Sequence, residues 1–460
     1  MKPIPVAAIF DVGKTNKKLF LFDEDYKIVY EKSARFNETV DEDGFACENI
    51  DSLRLSVYDS LQEIQRNEEF DLKAVNFSSY GASFVYLDQQ GKLLTPLYNY
   101  LKPYPEQLKK QFYAAYGGEE AMAYQTASPV LGNLNSGMQL YRLKYEQPGI
   151  FKQLHTALHL PQYLSYLITG RLYTDMTSIG CHTGLWDFEK NDYHHWVYQE
   201  GIADKLAPIY AADAVVPASF QGRSYPSGIG LHDSSAAIIP YLVNFIESFI
   251  LLSTGTWAIC MNPFNQLPLT AEDLQHDCLN YIQYKGSPVK ASRLFAGNEY
   301  EQQTKRIAAH FNQDVIRYRS IRYNAELVDL LNKRNGAENS NEFSPVSAFE
   351  KRNLNNFTDD IEAYHQLMID LIEQQKISVN YVLKEGSVKR IFVDGGFSKN
   401  AVYMQLLAAA FPQMEVFAAS MAQATAVGTA LAIHNAWNTR PLPNDLIELK
   451  YYATHHSTIL

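Results

Sequence analysis

The 460 residues are 46% hydrophobic and 20% charged, a globular composition in a chain too long for one core, so two domains of about 200 to 250 residues are expected. A formal charge of -11 argues against a nucleic-acid binder, which needs a basic stripe, although one nucleotide can still be held by backbone amides and a few local cations. Cys47, Cys181, Cys260 and Cys278 form no CxxC pair, which argues against a zinc ribbon and a disulfide framework.

Taken in chain order, Val6 to Phe10 is expected as a strand, Asp11 to Asn16 as a Gly-containing turn and Lys17 to Asp23 as a second strand, together a β-hairpin. The N-terminus has no small-residue cleavage site of a secretory signal, and a cytoplasmic protein is expected. Ile50, Leu53, Val57, Leu61 and Ile64 are spaced as one face of an amphipathic helix. Strands at Ala74 to Phe77 and Phe84 to Leu87 are expected to flank a polar turn, Ser78 to Gly81. His155 and His159 stand at helical i, i+4 spacing, but with no third ligand in view a structural or surface role is favoured over zinc.

The apolar stretch Ala236 to Leu252 is interrupted by Pro240, Asn244, Glu247 and Ser248, so it reads as a core segment and no membrane is expected as a partner. After residue 245 the hairpin pattern restarts, with Phe249 to Leu252, a turn at Ser253 to Thr256, and Trp257 to Met261, which suggests a duplication. Ile361, Tyr364, Leu367, Met368, Leu371 and Ile372 form another helical stripe. Strand Ile391 to Val393, helix Ala401 to Phe411, strand Glu415 to Phe417 and helix Gln423 to Asn435 then alternate as an α/β layer. The expected domains are 1–245 and 246–440, with 441–460 as an irregular tail.

The chain contains no GxxxxGK[ST] loop, no GxGxxG after the first strand, no HExxH and no GxSxG. What remains is four short turns that each follow an apolar run. Asp11, Gly13, Lys14 and Thr15 expose amides suited to a phosphate, with Asp11 a candidate Mg²⁺ ligand, or they form a plain hairpin turn. Thr254, Gly255 and Thr256 offer a second cradle. Asp394, Gly395, Gly396 and Asn400 lie between a strand and a helix, where a flat ligand could approach the backbone, or they simply cap that helix. Asp233, after Gly228, Gly230 and His232, is either a general base or an N-cap.

Together and in this order, these segments resemble the FGGY family of carbohydrate kinases, of the actin-like ATPase superfamily, from Ala7 to about Ile433. The resemblance implies an α/β fold of two ribonuclease H-like domains around a central cleft, with ATP bound mainly on the second. It implies phosphate loops at Asp11 to Thr15 and Ser253 to Thr256, an adenosine motif at Asp394 to Asn400 supported by Gly428, and Asp233 as catalytic base. ATP and Mg²⁺ are the implied cofactors, a small sugar is the implied substrate, and a homodimer is left open. Tyr80, Gly81 and Ala82, with His232 beside Asp233, are similar to the sugar-pocket residues of the family's kinases for deoxy-ketoses such as L-rhamnulose and L-fuculose. So are His159 to Leu164 and Leu167 to Gly170, read as a helix with a Thr and Gly stop. Three departures bear on the pocket: Lys14 where a small or hydroxyl residue is common, Gln423 where Glu is usual, and Tyr100, Leu101, Lys102 in place of a Tyr, Arg, Asp-like segment. A non-catalytic sugar sensor on this fold, a kinase for another sugar or polyol, or a kinase acting on carboxylic acids are the competing expectations.

Overall fold

The structure, a computed structural model, describes residues 2–335, 348–383, 388–421 and 423–453. Its first lobe is organised around β1 (Ile4–Val12), whose nearly unbroken apolar run suits a strand covered on both faces. β1 pairs antiparallel with β2 (Lys17–Phe22), which pairs antiparallel with β3 (Ile28–Ala34). The helix α1 (Ile50–Arg66) begins at Asn49, whose side chain accepts from Ser52 N, and buries the expected stripe Ile50, Leu53, Val57, Leu61 and Ile64. Each of those side chains contributes about 1.5–3 kcal/mol by leaving water.

On the other side of β1 runs the parallel strand β4 (Phe70–Ser79). Beyond it the sheet continues through β5 (Val215–Phe220) and β6 (Arg223–Gly228), in the order β5-β6-β4-β1-β2-β3, while the short β7 (Leu231–His232) also pairs with β4 and leads into α2 (Asp233–Ala237). Alternation sorts β1 between two cores. Val6, Ala8 and Phe10 face α1, and Ala7 and Ile9 face the opposite side.

The second lobe repeats this plan. β8 (Phe249–Thr254) pairs antiparallel with β9 (Ala258–Asn262), and β10 (Cys278–Ile282) and β11 (Pro288–Leu294) extend that side. The long helix α3 (Asp360–Val382) covers one face. β12 (Arg390–Gly395) runs parallel to β8 and is followed by α4 (Ala401–Ala410), the parallel strand β13 (Glu415–Ser420), α5 (Ala424–Ala432) and β14 (Glu448–Tyr452), giving the order β10-β11-β9-β8-β12-β13-β14. In each sheet a central strand has an antiparallel hairpin on one side. On the other it has two parallel strands closed by an antiparallel edge. The duplication suggested by the two hairpins therefore extends through the whole sheet.

Several expectations change. The strands outrun their apolar cores: Asp11 pairs with both Lys18 and Ser78, and Ser78 and Ser79 belong to β4, because ladders on both sides hold polar residues in extended form. Phe84–Leu87 pairs with Thr156–His159 and not with β4, so His159 ends a strand and its spacing from His155 is not helical. The tail is not irregular throughout, since Glu448–Tyr452 is stitched to β13 by its backbone; residues 454–460 lie outside the described residues. The helix expected at Gln423 to Asn435 is broken into Ala424–Ala432 and His434–Trp437. It packs on the first lobe: Ala426, Val427 and Ala430 share a core with Ala7, Ile9 and Ala236.

Candidate active site

β1, β4 and β7 end side by side, with Asp11 opposite Ser78 and Ser78 opposite Leu231. Their carboxyl ends form the crevice where open parallel sheets place ligands. Asp11 Oδ1 accepts from Ser78 Oγ at 3.0 Å. Asp233 is the first residue of α2, and His232 holds the cap position, so Asp233 is not the N-cap. Asp233 Oδ1 accepts from Ser234 N at 2.6 Å and lies 3.1 Å from His232 Nε2. Its side chain keeps 33% of its surface accessible, which leaves the carboxylate open to the cleft although it lies deep within it.

Burial pushes Asp233 up to about 6. Asp11 is also pushed up to about 6, first by burial and then by the charge of Asp233. A carboxyl whose ionisation is opposed by burial and by the charge of a second carboxylate fits a cation held between protein and ligand. Mg²⁺ is held by one or two carboxylates with water and phosphate oxygens, and Asp11 and Asp233 are the carboxylates at these strand ends.

The expected sugar residues meet at the same strand ends. Tyr80 N donates to Val12 O at 3.2 Å, which fixes the exit of β4 beside the first loop. A β-carbon on Gly81 would stand 3.0 Å from the His232 ring, so a larger residue there would press on that imidazole. Ala82 takes a left-handed φ of 61°, and its carbonyl accepts from Gln139 Nε2 at 2.6 Å. Burial pushes His232 down to about 4, so near neutral pH it is an uncharged hydrogen-bonding group and not an ion-pair partner of Asp233.

Cys181 Sγ lies 3.2 Å from His232 Nε2, and the Tyr281 ring stacks on the imidazole at 5.9 Å. Tyr281 comes from β10 of the second lobe, and Ser235 Oγ donates to the neighbouring Ile282 carbonyl at 3.0 Å. The sequence gives no sign of Gln139, Cys181 or Tyr281, because each reaches the site from a distant element. Lys102, from the departing segment, is buried against Asp41 and Asp43, so its charge is spent in a structural ion pair.

In the second lobe, Ser253 and Thr254 lie opposite Asp394 and Gly395 on adjacent parallel strands. Gly396 N donates to Thr254 O at 2.9 Å and Phe397 N to Thr254 Oγ1 at 3.0 Å, locking the two loops together. Gly395 has a φ of +85°, and a β-carbon there would fall 1.9 Å from Thr254 O. Asn400 caps α4, accepting from Val402 N and Tyr403 N at 3.1 Å, and donates to Tyr364 OH at 2.8 Å. Asn400 is thus the helix cap, and it also lines an open cleft of about 900 Å³ with Thr254, Gly255, Thr256, Gly396 and Lys399.

Gly395 shapes the turn beside that cleft, fitted against Thr254 O, and Gly428 packs against the backbone of Ala236, in the helix that begins with Asp233. Gln423, in a left-handed conformation with φ of 59°, starts the helix that carries Gly428.

Two lobes of one sheet plan, one carrying the two carboxylates at its strand ends and the other the interlocked glycine turns, define an actin-like, ribonuclease H-like two-domain protein. Models of the FGGY family of carbohydrate kinases match most of the chain, the N-terminal domain at residues 6–219 and the C-terminal domain at 246–335 and 351–437. The chain belongs to the FGGY family of carbohydrate kinases. It is 24% identical over 280 residues to a rhamnulokinase of Mannheimia succiniciproducens, an alignment covering 56% of this chain and 54% of that protein, so the chain spans about half the length of the curated relatives it matches. Among solved structures, a carbohydrate kinase from Novosphingobium aromaticivorans superposes with a TM-score of 0.77 at 23% identity, covering 97% of this chain and 96% of that one. A ligand-bound xylulose kinase from Lactobacillus acidophilus gives 0.76 at 17% identity, covering 98% and 94%. These likenesses establish the fold.

Proposed function

We propose that this protein transfers the γ-phosphoryl group of ATP to a hydroxyl of a small ketose bound beside Tyr80, Gly81, Ala82 and His232. The observation that carries the reading is the meeting of Asp11 and Asp233 at the strand ends, both pushed up to about 6. A carboxylate of that basicity, open to the cleft, is suited to accept a sugar hydroxyl proton near neutral pH. The sugar oxygen bonds to the γ-phosphorus while its bond to ADP breaks, and the proton passes to Asp233. Asp233 contributes about 10²–10⁴-fold as a base. Alignment by the loop amides supplies much of the rest.

On this reading Asp11 holds Mg²⁺, which when bound neutralises phosphate charge. Gly13 and Thr15 flank the first phosphate path; Thr254, Gly255 and Thr256 form the second. Gly396 and Asn400 receive the adenosine, with Gly395 shaping the turn. A deoxy-ketose is the favoured substrate, supported by His232 beside Asp233 and by the rhamnulokinase name of a distant relative. A cytoplasmic setting is part of this reading; no helix among the described residues is long and apolar enough to cross a membrane.

The test is ADP release measured with ATP, Mg²⁺ and a panel of ketoses and polyols, with carboxylic acids as a separate arm. Turnover with at least one ketose is expected. Release with carboxylic acids alone would replace the reading by acyl-phosphate formation, and sugar binding without release by a sensor.

A further inference from the structure

Three lysines lie in or beside the first loop, and two are satisfied locally. Lys17 Nζ pairs with Glu48 at 2.7 Å and donates to the Lys14 carbonyl at 3.0 Å, and Lys18 pairs with Glu31 at 3.0 Å. Lys14 Nζ has no hydrogen bond or carboxylate partner among the described residues. It is half-buried and rests over the rings of Tyr80 and Tyr100, at 5.7 and 5.8 Å from their centroids. Those rings pack on each other at 5.9 Å. Tyr80 precedes Gly81 at the His232 ring, and the Tyr100 phenol senses the charge of Asp233. The ammonium therefore stands where the phosphate loop meets the sugar pocket.

Aromatic faces hold an ammonium weakly, whereas an oxyanion binds it through charge-assisted hydrogen bonds, and a lysine on its flexible stem can exchange one for the other. The other charges around the loop are the carboxylates of Asp11 and Asp233, the paired Glu48, Lys17 and Lys18, and Arg35, whose Nε donates to Asn16 Oδ1 at 3.1 Å. A phosphoryl group arriving between the two carboxylates adds negative charge that Lys14 is free to offset.

Resting on the kinase reading above, we propose that Lys14 is an oxyanion contact, leaving the tyrosine rings to bind either the phosphoryl group carried onto the sugar or the carboxylate of an acidic sugar. The contact transfers no proton.

The experiment compares Lys14→Met and Lys14→Arg with the wild type. Calorimetry with a ketose phosphate and with free ketose reads the contact whether or not turnover occurs. Kinetics are run with neutral ketoses and with sugar acids, and melting temperature controls for folding. The phosphoryl arm expects Lys14→Met to weaken ketose phosphate binding and lower kcat by about tenfold or more, with free ketose binding and melting unchanged, and Lys14→Arg to restore most of both. The carboxylate arm expects a raised KM for sugar acids alone. Binding and kinetics of Lys14→Met within twofold of wild type for every ligand would overturn the inference. Absent ADP release with intact, Lys14-dependent sugar phosphate binding would overturn only the kinase reading.

Discussion

Gly428 and Ala236 are in backbone contact across the two lobes: a β-carbon on the glycine would lie 1.9 Å from the alanine carbonyl oxygen and 2.8 Å from its carbonyl carbon. Ala236 belongs to the helix that begins with Asp233, so the second lobe bears directly on the element that carries the proposed base. Asn76 Nδ2 adds a buried hydrogen bond to the neighbouring Thr429 carbonyl at 2.9 Å. Gly428→Ala should therefore force the helices apart, costing about 1–3 kcal/mol of stability and lowering turnover more than nucleotide affinity. Denaturant unfolding and kinetics check both; a variant as stable as wild type would show that the contact relaxes freely.

Asp233→Asn separates a base from a structural acid. Turnover should fall by about a hundredfold or more, while ATP and sugar affinities stay near wild type. Because burial disfavours the Asp233 charge, removing that charge should raise stability at neutral pH by about 1 kcal/mol, after allowance for its accessible surface. Retention of more than about a tenth of wild-type turnover would remove Asp233 from the proposed role.

The pH dependence follows from the same pair. Asp11 and Asp233 bind protons more tightly folded than unfolded, so the folded chain holds more protons between the ordinary 3.8 and about 6. Their contribution to stability is therefore present at low pH and lost as pH rises through about 6. Activity runs oppositely, since the base must be ionised: kcat/KM should fall about tenfold per pH unit below about 6. A profile flat down to pH 5 would contradict the assignment.

Gly396 has an ordinary helical φ, and a β-carbon there would come no closer than 4.0 Å to Thr254 O, so the backbone tolerates a side chain pointing into the cleft. Gly396→Val should leave the fold and sugar binding unchanged and weaken ATP by about tenfold or more, the steric penalty of filling a ligand's place. Unaltered ATP affinity in calorimetry would displace adenosine from this wall.

Chelation of divalent metal should abolish turnover. Asp11→Asn should raise the Mg²⁺ concentration for half-maximal rate by about tenfold, with ketose affinity little changed. Equal Mg²⁺ dependence in variant and wild type would free Asp11 from the metal.

Much of this protein is local and was therefore legible in one dimension. Apolar runs ending in glycine turns specify Asp11 to Thr15, Ser253 to Thr256 and Asp394 to Asn400, because strand burial and turn chemistry depend on neighbours in the chain. The stripe of α1 is equally plain, each buried residue following from helical period. What the chain order could not express is pairing between distant segments. Asp11 and Ser78 were read as turn residues, but they are strand residues because β2, β4 and β7 supply ladders on either side. Glu448–Tyr452 becomes a strand only because β13 presents an open edge. Gly428 meets the backbone of Ala236 from the other lobe, an approach that no local pattern announces, and Tyr281 reaches His232 across the same boundary. The sequence by itself determined the chemistry available at each turn. The tertiary structure alone decided which turns share a crevice, since burial raises the pKa of Asp233, and burial and then the charge of Asp233 raise that of Asp11, only when their strands end together.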